Sequence, residues 1–326
     1  MGSPADVAFM CAASDRIGYG HLSRSLSLAD ALTDSGLTCR FIVRSDEDSS
    51  RESVDTRGYR ATWVLGHDEG DAALLGLASE VNLKWIVVDD YEVSASRITH
   101  LATSAPIAIV DDLGQRDFSS ASLVVIPTGG AESWELRKGR ASVLAGAQYA
   151  LVATAFSDRR SQRSPHPVRP VRRVGVALGG SDTEGWMSDV ISGLSRFVDA
   201  EIHVAGRAPI ETPPSNTRHL GFLDPEGMAD LMEWSDLFVA TASTLTWELA
   251  TLGIPSAFVV TVENQRPIGD FLVQQGVPTA FRRRDVTGML DPARWSAGTL
   301  EEVSHRMEAL TDGRGAHRVA RELMKK

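Results

Sequence analysis

Cysteine is nearly absent from this chain, with two, Cys11 and Cys39, in 326 residues. Two thiols cannot build a disulfide framework, and their apolar surroundings suit reduced, buried side chains. Long apolar runs are missing too: no stretch approaches the roughly 18 consecutive apolar residues of a membrane span. The N-terminus has no basic region leading into a long apolar stretch. A cytoplasmic protein without a membrane span is therefore expected. Excess positive charge is the third absence. With 33 Lys and Arg against 43 Asp and Glu, the net charge is −10, so no nucleic-acid partner is expected. The one arginine cluster, RRSQRSPHPVRPVRR at 159–173, holds three prolines and reads as a linker rather than a binding helix.

What the chain has in abundance is alternation. DVAFMCAA (6–13) reads as a strand, and LSRSLSLADALTDSG (22–36) follows with Leu22, Leu26, Leu28, Ala29 and Leu32 near helical spacing and Gly36 as its C-cap. Further strands are predicted at 38–45, 85–90, 107–112 and 123–127. The pattern restarts after the Arg/Pro segment, with a strand at 173–180, a helix over 185–198, and strands at 201–206, 236–241 and 256–261. Strands alternating with helices predict parallel sheets covered on both faces. The expected organisation is two Rossmann-like domains, 1–157 and 172–326, joined by a linker at 158–171, with ligands bound in a cleft beyond the carboxyl ends of the strands.

The polar clusters all fall at such strand ends. Gly18-Tyr19-Gly20-His21 is a strand-to-helix turn: it serves as a tight turn with a capping histidine, or as a close approach to a ligand with an imidazole suited to proton transfer near neutral pH. LGGSDTEGW (178–186) offers Gly180 and Ser181 to a diphosphate, or Ser181 or Asp182 as an N-cap to the first helical amides. In TASTLTWELATLGIP (241–255), Ser243 and Thr244 open a helix and Glu248 lies one turn on, placed to accept from a ribose diol or to face solvent, while Trp247 reads as core or rim. Asn264 and Gln265 in VENQRPIGDFL put two amides beyond another strand, for sugar hydroxyls or for a plain turn. VVDDYE (87–92) and IVDDLG (109–114) each close a strand with an aspartate pair. Capping and ligand orientation are favoured there over Mg²⁺, because nothing else completes an octahedral site.

Taken in order, IGYGHLSRSLSLADAL, VDDYE, IVDDLG, GAQYALV (146–152), VALGGSD, MADLMEWSDLFVATASTLTWELATLGIP and ENQRPIGDFLVQQG resemble the UDP-2,4-diacetamido-2,4,6-trideoxy-β-L-altropyranose hydrolases of pseudaminic acid biosynthesis, GT-B-fold relatives of MurG. The resemblance spans residues 14 to 276. It implies that His21 is the base that activates water, and that Gly20, Tyr91, Asn264 and Gln265 lie on the sugar side. It implies a nucleotide site of Gly180, Ser181, Ser243, Thr244 and Glu248, with Phe222, Leu223 and Met228 where uracil would rest. Met10 and Ala12 stand where the family has Arg and Asp, and Asp90 where a histidine is common; the lost charge near the first strand's end implies a different sugar or a repurposed reaction, and Thr241-Ala242 in place of a glycine pair implies tighter or weaker phosphate binding.

The expected activity is hydrolysis of a nucleotide sugar, a UDP-sugar above others, without metal or other cofactor, since helix N-termini can neutralise a departing diphosphate. A glycosyltransferase of the same fold and a non-catalytic nucleotide-sugar binding protein are the alternatives.

Overall fold

A computed structural model describes residues 5–14, 18–162, 170–179, 185–206 and 213–325. The first sheet is built from β1 (Val7–Ala12), β2 (Cys39–Arg44), β3 (Arg60–Val64), β4 (Trp85–Asp89), β5 (Ile107–Val110), β6 (Leu123–Ile126) and β7 (Ser142–Ala145). Between them run α1 (Gly20–Asp34), α2 (Asp48–Thr56), α3 (His67–Glu80) and α4 (Ala95–Leu101). Then follow α5 (Thr154–Gln162), β8 (Arg173–Ala177), α6 (Trp186–Leu194), β9 (Glu201–Ala205), β10 (Thr217–Gly221), α7 (Pro225–Trp234), β11 (Leu237–Thr241), α8 (Thr244–Leu252) and β12 (Ser256–Val259). The chain finishes with α9 (Arg266–Gln274), β13 (Thr279–Ala280), α10 (Arg283–Met289), α11 (Ala297–Glu308) and α12 (Gly315–Leu323).

Two parallel sheets result, ordered β3-β2-β1-β4-β5-β6-β7 and β10-β9-β8-β11-β12-β13. In each, the order reverses beside the first strand, which creates the crevice where ligands of doubly wound sheets bind. The central strands are apolar because both faces are covered. Successive β1 side chains enter opposite cores: Val7, Phe9 and Cys11 join α1 on one face, while Ala8 and Met10 join α3 and α4 on the other. The period of two of a strand produces that division. Helix α1 ends at Gly36, whose φ of +87° only glycine adopts at low cost. There Leu37 N–H donates to Leu32 O at 3.1 Å and Gly36 N–H to Thr33 O at 2.9 Å, a Schellman closure.

The domain boundaries differ from those expected. One compact unit comprises Met1–Ala153 with Arg314–Lys326, the other Thr154–Gly313. The chain therefore returns to its first unit at its end, which a reading of contiguous segments does not detect. Helix α12 lays Ala316, Val319, Ala320 and Leu323 against the α1 face of the first core, and Trp85 Nε1–H donates to Leu323 O at 2.7 Å. A Cβ on Gly315 would stand 2.1 Å from Ala150 O, so only glycine allows that approach. At the other boundary, residues 158–162 of the expected linker are helical. Arg160 donates to Thr251 O and Thr311 O at 3.0 and 2.9 Å, and Arg159 pairs with Asp230 and Glu233 at 2.6 and 3.0 Å. These arginines fasten α5 to the second unit by capping carbonyls and neutralising α7.

Candidate active site

The turn entering α1 is held at both ends. Gly18, at φ +89°, donates its N–H to Ser14 O at 2.7 Å, and the Tyr19 hydroxyl donates to Glu47 and lies 2.9 Å from Ser49 Oγ. Gly20 is the first helical residue and His21 the second, which buries the imidazole to 6% exposure. Its Nδ1 stands 2.6 Å from Asp89 Oδ1 at the end of β4. Arg24, one turn along α1 and on the same side, bridges two strand ends. Its Nε and Nη2 donate to Asp89 at 2.6 Å each, and its Nη1 donates to Asp112 Oδ2 at 2.6 Å. The Tyr91 hydroxyl donates to the same Asp112 oxygen, and the Tyr91 ring meets the His21 ring edge-on, centroids 4.5 Å apart.

The electrostatics fix the tautomer. Burial would raise the Asp89 carboxyl, yet the charge of Arg24, followed by that of His21, outweighs it and holds the group down at about 2. Asp89 is then an acceptor only, so Nδ1 carries the proton and Nε2 keeps a lone pair. Burial, reinforced by the Asp112 carboxylate, pushes the Tyr91 phenol well up, so it stays a hydrogen-bond donor. The arrangement can accept one proton at Nε2 while Asp89 steadies the resulting cation.

One aspartate of each pair, Asp90 of the first and Asp111 of the second, does structural work. Asp90 accepts from Arg44 at 2.9 Å and from Glu92 N–H at 2.9 Å. Asp111 accepts from Leu113 N–H and Gly114 N–H at 2.9 and 2.7 Å, while burial pushes its carboxyl up against those amides. Capping thus describes Asp90 and Asp111, whereas Asp89 and Asp112 serve the His21 cluster. Adjacent residues leaving a strand turn to opposite sides, which separates the roles. Sequence reasoning did not single out Arg24. The signal was present as His21 and Arg24 at helical i, i+3 spacing, with an aspartate closing each of two facing strands.

In the second unit the expected residues again lie at carboxyl strand ends. Ser243 precedes α8 without capping it by its side chain; its hydroxyl lies 3.0 Å from Thr241 Oγ1 instead. Thr241 and Ala242 are buried, so the side chains present where the resembled family has glycines fill core and brace Ser243. Thr244 opens α8 half-buried, and Glu248 on its next turn is 8% exposed, which excludes the solvated alternative. Trp247 is core, 6.2 Å from Phe271. Phe222 and Leu223 follow the left-handed Gly221 at the end of β10, with Phe222 exposed by 49% and Met228 half-buried in the first turns of α7. Asn264 is exposed on the turn after β12. The Gln265 side-chain oxygen accepts from Thr261 N–H at 2.9 Å and Thr261 Oγ1 at 3.2 Å. That carbonyl closes its own loop and is not available to a sugar. Gly180 and Ser181 lie outside the described residues. In the first unit, Met10 and Ala12 are core side chains.

No family model matches the chain. Over 284 residues it is 22% identical to the UDP-2,4-diacetamido-2,4,6-trideoxy-beta-L-altropyranose hydrolase of Campylobacter jejuni, covering 85% of this chain and 99% of that one. Among solved structures, Acinetobacter baumannii MurG superposes with a TM-score of 0.64 at 13% identity, covering 98% of this chain and 100% of MurG. The S. aureus MnaA-UDP co-structure gives 0.65 at 11% identity, covering 98% and 96%. Among the described residues, no helix is long and apolar enough to cross a membrane. The chain is therefore similar in sequence to the altropyranose hydrolase across most of its length, and its two parallel α/β domains have the GT-B fold.

Proposed function

We propose that this chain is a nucleotide-sugar hydrolase in which His21 removes a proton from water. Its sequence likeness and its fold support an enzyme acting on nucleotide sugars, the likeness to a hydrolase favours water as the acceptor, and the observation that carries the base is the Asp89-oriented imidazole with Nε2 left as acceptor. Water oxygen bonds to the anomeric carbon, its proton passes to Nε2, and the carbon–oxygen bond to the diphosphate breaks with its electron pair on the nucleotide. Tyr91 and Asn264 orient the sugar. Ser243, Thr244 and Glu248 hold the nucleotide, with Phe222, Leu223 and Met228 against the base, and UDP is the favoured nucleotide because the sequence relative acts on a UDP-sugar. Helix N-termini receive the diphosphate charge, and no cofactor enters the reaction.

The same imidazole could deprotonate an acceptor hydroxyl, and the likeness in fold to MurG supports that second reading. A panel of UDP-sugars, followed for UDP release with and without acceptors, separates the two. Acceptor-independent release of free sugar supports hydrolysis; release that requires an acceptor selects transfer; tight binding without turnover overturns both. In His21→Asn, turnover should fall ~10²–10⁴-fold with nucleotide-sugar affinity little changed. Near-parental turnover with weakened binding would make His21 a positioning group and reject it as the base.

A further inference from the structure

The groups facing the His21 ring come from four elements. Helix α1 supplies Arg24, β4 supplies Asp89, and the segments after β4 and β5 supply Tyr91 and Asp112. On β1, Cys11 is the strand-register partner of Asp89; burial pushes its thiol up, so it stays uncharged. Asp90 and Glu92 are matched by Arg44 at 2.9 and 2.8 Å. Two carboxylates and one guanidinium remain. Arg24 is 5% exposed, Asp89 0% and Asp112 9%, so water screens them little.

We propose that Arg24 is a positioning residue that sets the charge of the His21 site, dividing its guanidinium between Asp89 and Asp112 so that one net negative charge, rather than two, faces the ring. One unmatched charge serves a general base by steadying the imidazolium formed in the reaction. The division depends on a planar fork. Nε and Nη2 grip Asp89 while Nη1 reaches Asp112, a geometry that lysine cannot reproduce. Arg24 also holds Asp112 where the Tyr91 hydroxyl meets it, so the two rings are fixed through one side chain. The rate measurements below rest on the hydrolase reading; the binding of protons by the ring does not.

Three variants test the charge. Arg24→Met leaves two carboxylates at the ring, so the imidazole holds its proton to higher pH and the acid limb of the kcat profile moves up by about one unit or more. A shift of that size costs ~10-fold in kcat on the acidic side of the limb, with KM little altered. Asp112→Asn removes one carboxylate and moves the limb down. Arg24→Met with Asp112→Asn restores the balance and returns the limb near its parental position. The His21 imidazole ¹⁵N resonances, assigned by their loss in His21→Asn, should titrate in the same order without substrate. Should Arg24→Met fail to fold, Asp112→Asn alone decides. Limbs and imidazole midpoints that stay put, or that move the same way in both single variants, overturn the proposal. Absence of turnover on every nucleotide sugar would sink the hydrolase reading while the imidazole titration still judged Arg24.

Discussion

At the carboxyl ends of the first sheet, Arg24, Asp89 and Asp112 are buried against one another and against His21. At the same ends of the second sheet the described side chains are the hydroxyls of Thr241, Ser243 and Thr244, the amide of Asn264 and the half-exposed Phe222. The first set is charged, internally satisfied and fixed; these second-sheet residues are neutral, with Phe222 and Asn264 exposed. A group that must transfer a proton needs its surroundings prearranged, because reorganising charge during a reaction is costly. A group that holds a ligand needs unfilled hydrogen-bonding capacity and apolar surface to cover. The same fold, used twice, thus carries two kinds of strand end.

The largest effect that would break this contrast is expected at Asp89. Asp89→Asn frees the His21 tautomer and leaves Arg24 facing an amide, so turnover should fall by about 10²–10⁴-fold, in the range of an altered general base or its orienter. Stability gives an independent reading. The folded carboxyl sits at about 2, below the roughly 3.9 of an unfolded aspartate. Its ionised form therefore stabilises the fold fully above pH ~4, and that contribution is lost as pH falls from there through about 2. The acid-unfolding curve of Asp89→Asn should lack this loss between those values. Parental turnover with an unchanged acid-unfolding curve would remove Asp89 from the site.

Which parts of this were legible in the sequence follows from burial. Every central strand was readable, because a strand covered on both faces is a continuous apolar run, as WIVVD in β4 or LFVAT in β11. The four strands that escaped, β3, β7, β10 and β13, are the edges of the two sheets. RATWV and TRHLG leave half or more of their residues partly exposed, and β13 is two residues long, so their composition resembles loop. His21 was legible because a glycine turn announced it, and the aspartate pairs because they closed strands. The division of labour within each pair was not, since it depends on which oxygen Arg24 reaches across 65 and 88 residues of chain. The inward bond of the Gln265 carbonyl to Thr261 was not legible either, because nothing in the sequence says which end of an amide its own loop will use.

A smaller effect, confined to the second sheet, would sharpen the comparison. Glu248 is the one carboxylate among the residues assigned to the nucleotide there, buried on α8 one turn beyond Thr244. If it accepts from a desolvated ribose diol, Glu248→Ala should weaken UDP binding by about 1–3 kcal/mol, measured by calorimetry, and leave the pH profile of turnover in place. Unchanged affinity would move the nucleotide away from α8. A displaced pH profile would mean that the two kinds of strand end are not separate after all.

The smallest effect is expected from removing divalent metal. Four aspartates at two adjacent strand ends look, by composition, like the beginning of a Mg²⁺ site, and the comparison between sheets would be misread if that were their purpose. Each already has partners of the kind that a cation would replace. Asp89 and Asp112 share the Arg24 guanidinium, Asp90 pairs with Arg44, and Asp111 accepts from two backbone amides. Mg²⁺ demands near-octahedral oxygen ligands and sheds water reluctantly, so it would have to displace a buried arginine to reach Asp89 or Asp112. In the second sheet the proposed diphosphate contacts are hydroxyls and the amides that begin α8, which need no metal to bind an anion. Turnover in excess EDTA should therefore match that in added Mg²⁺. Activity abolished by the chelator and restored by Mg²⁺ would turn these aspartates into ligands, with Arg24 moved aside in the active form, and the fixed strand ends of the first sheet would then be the mobile ones.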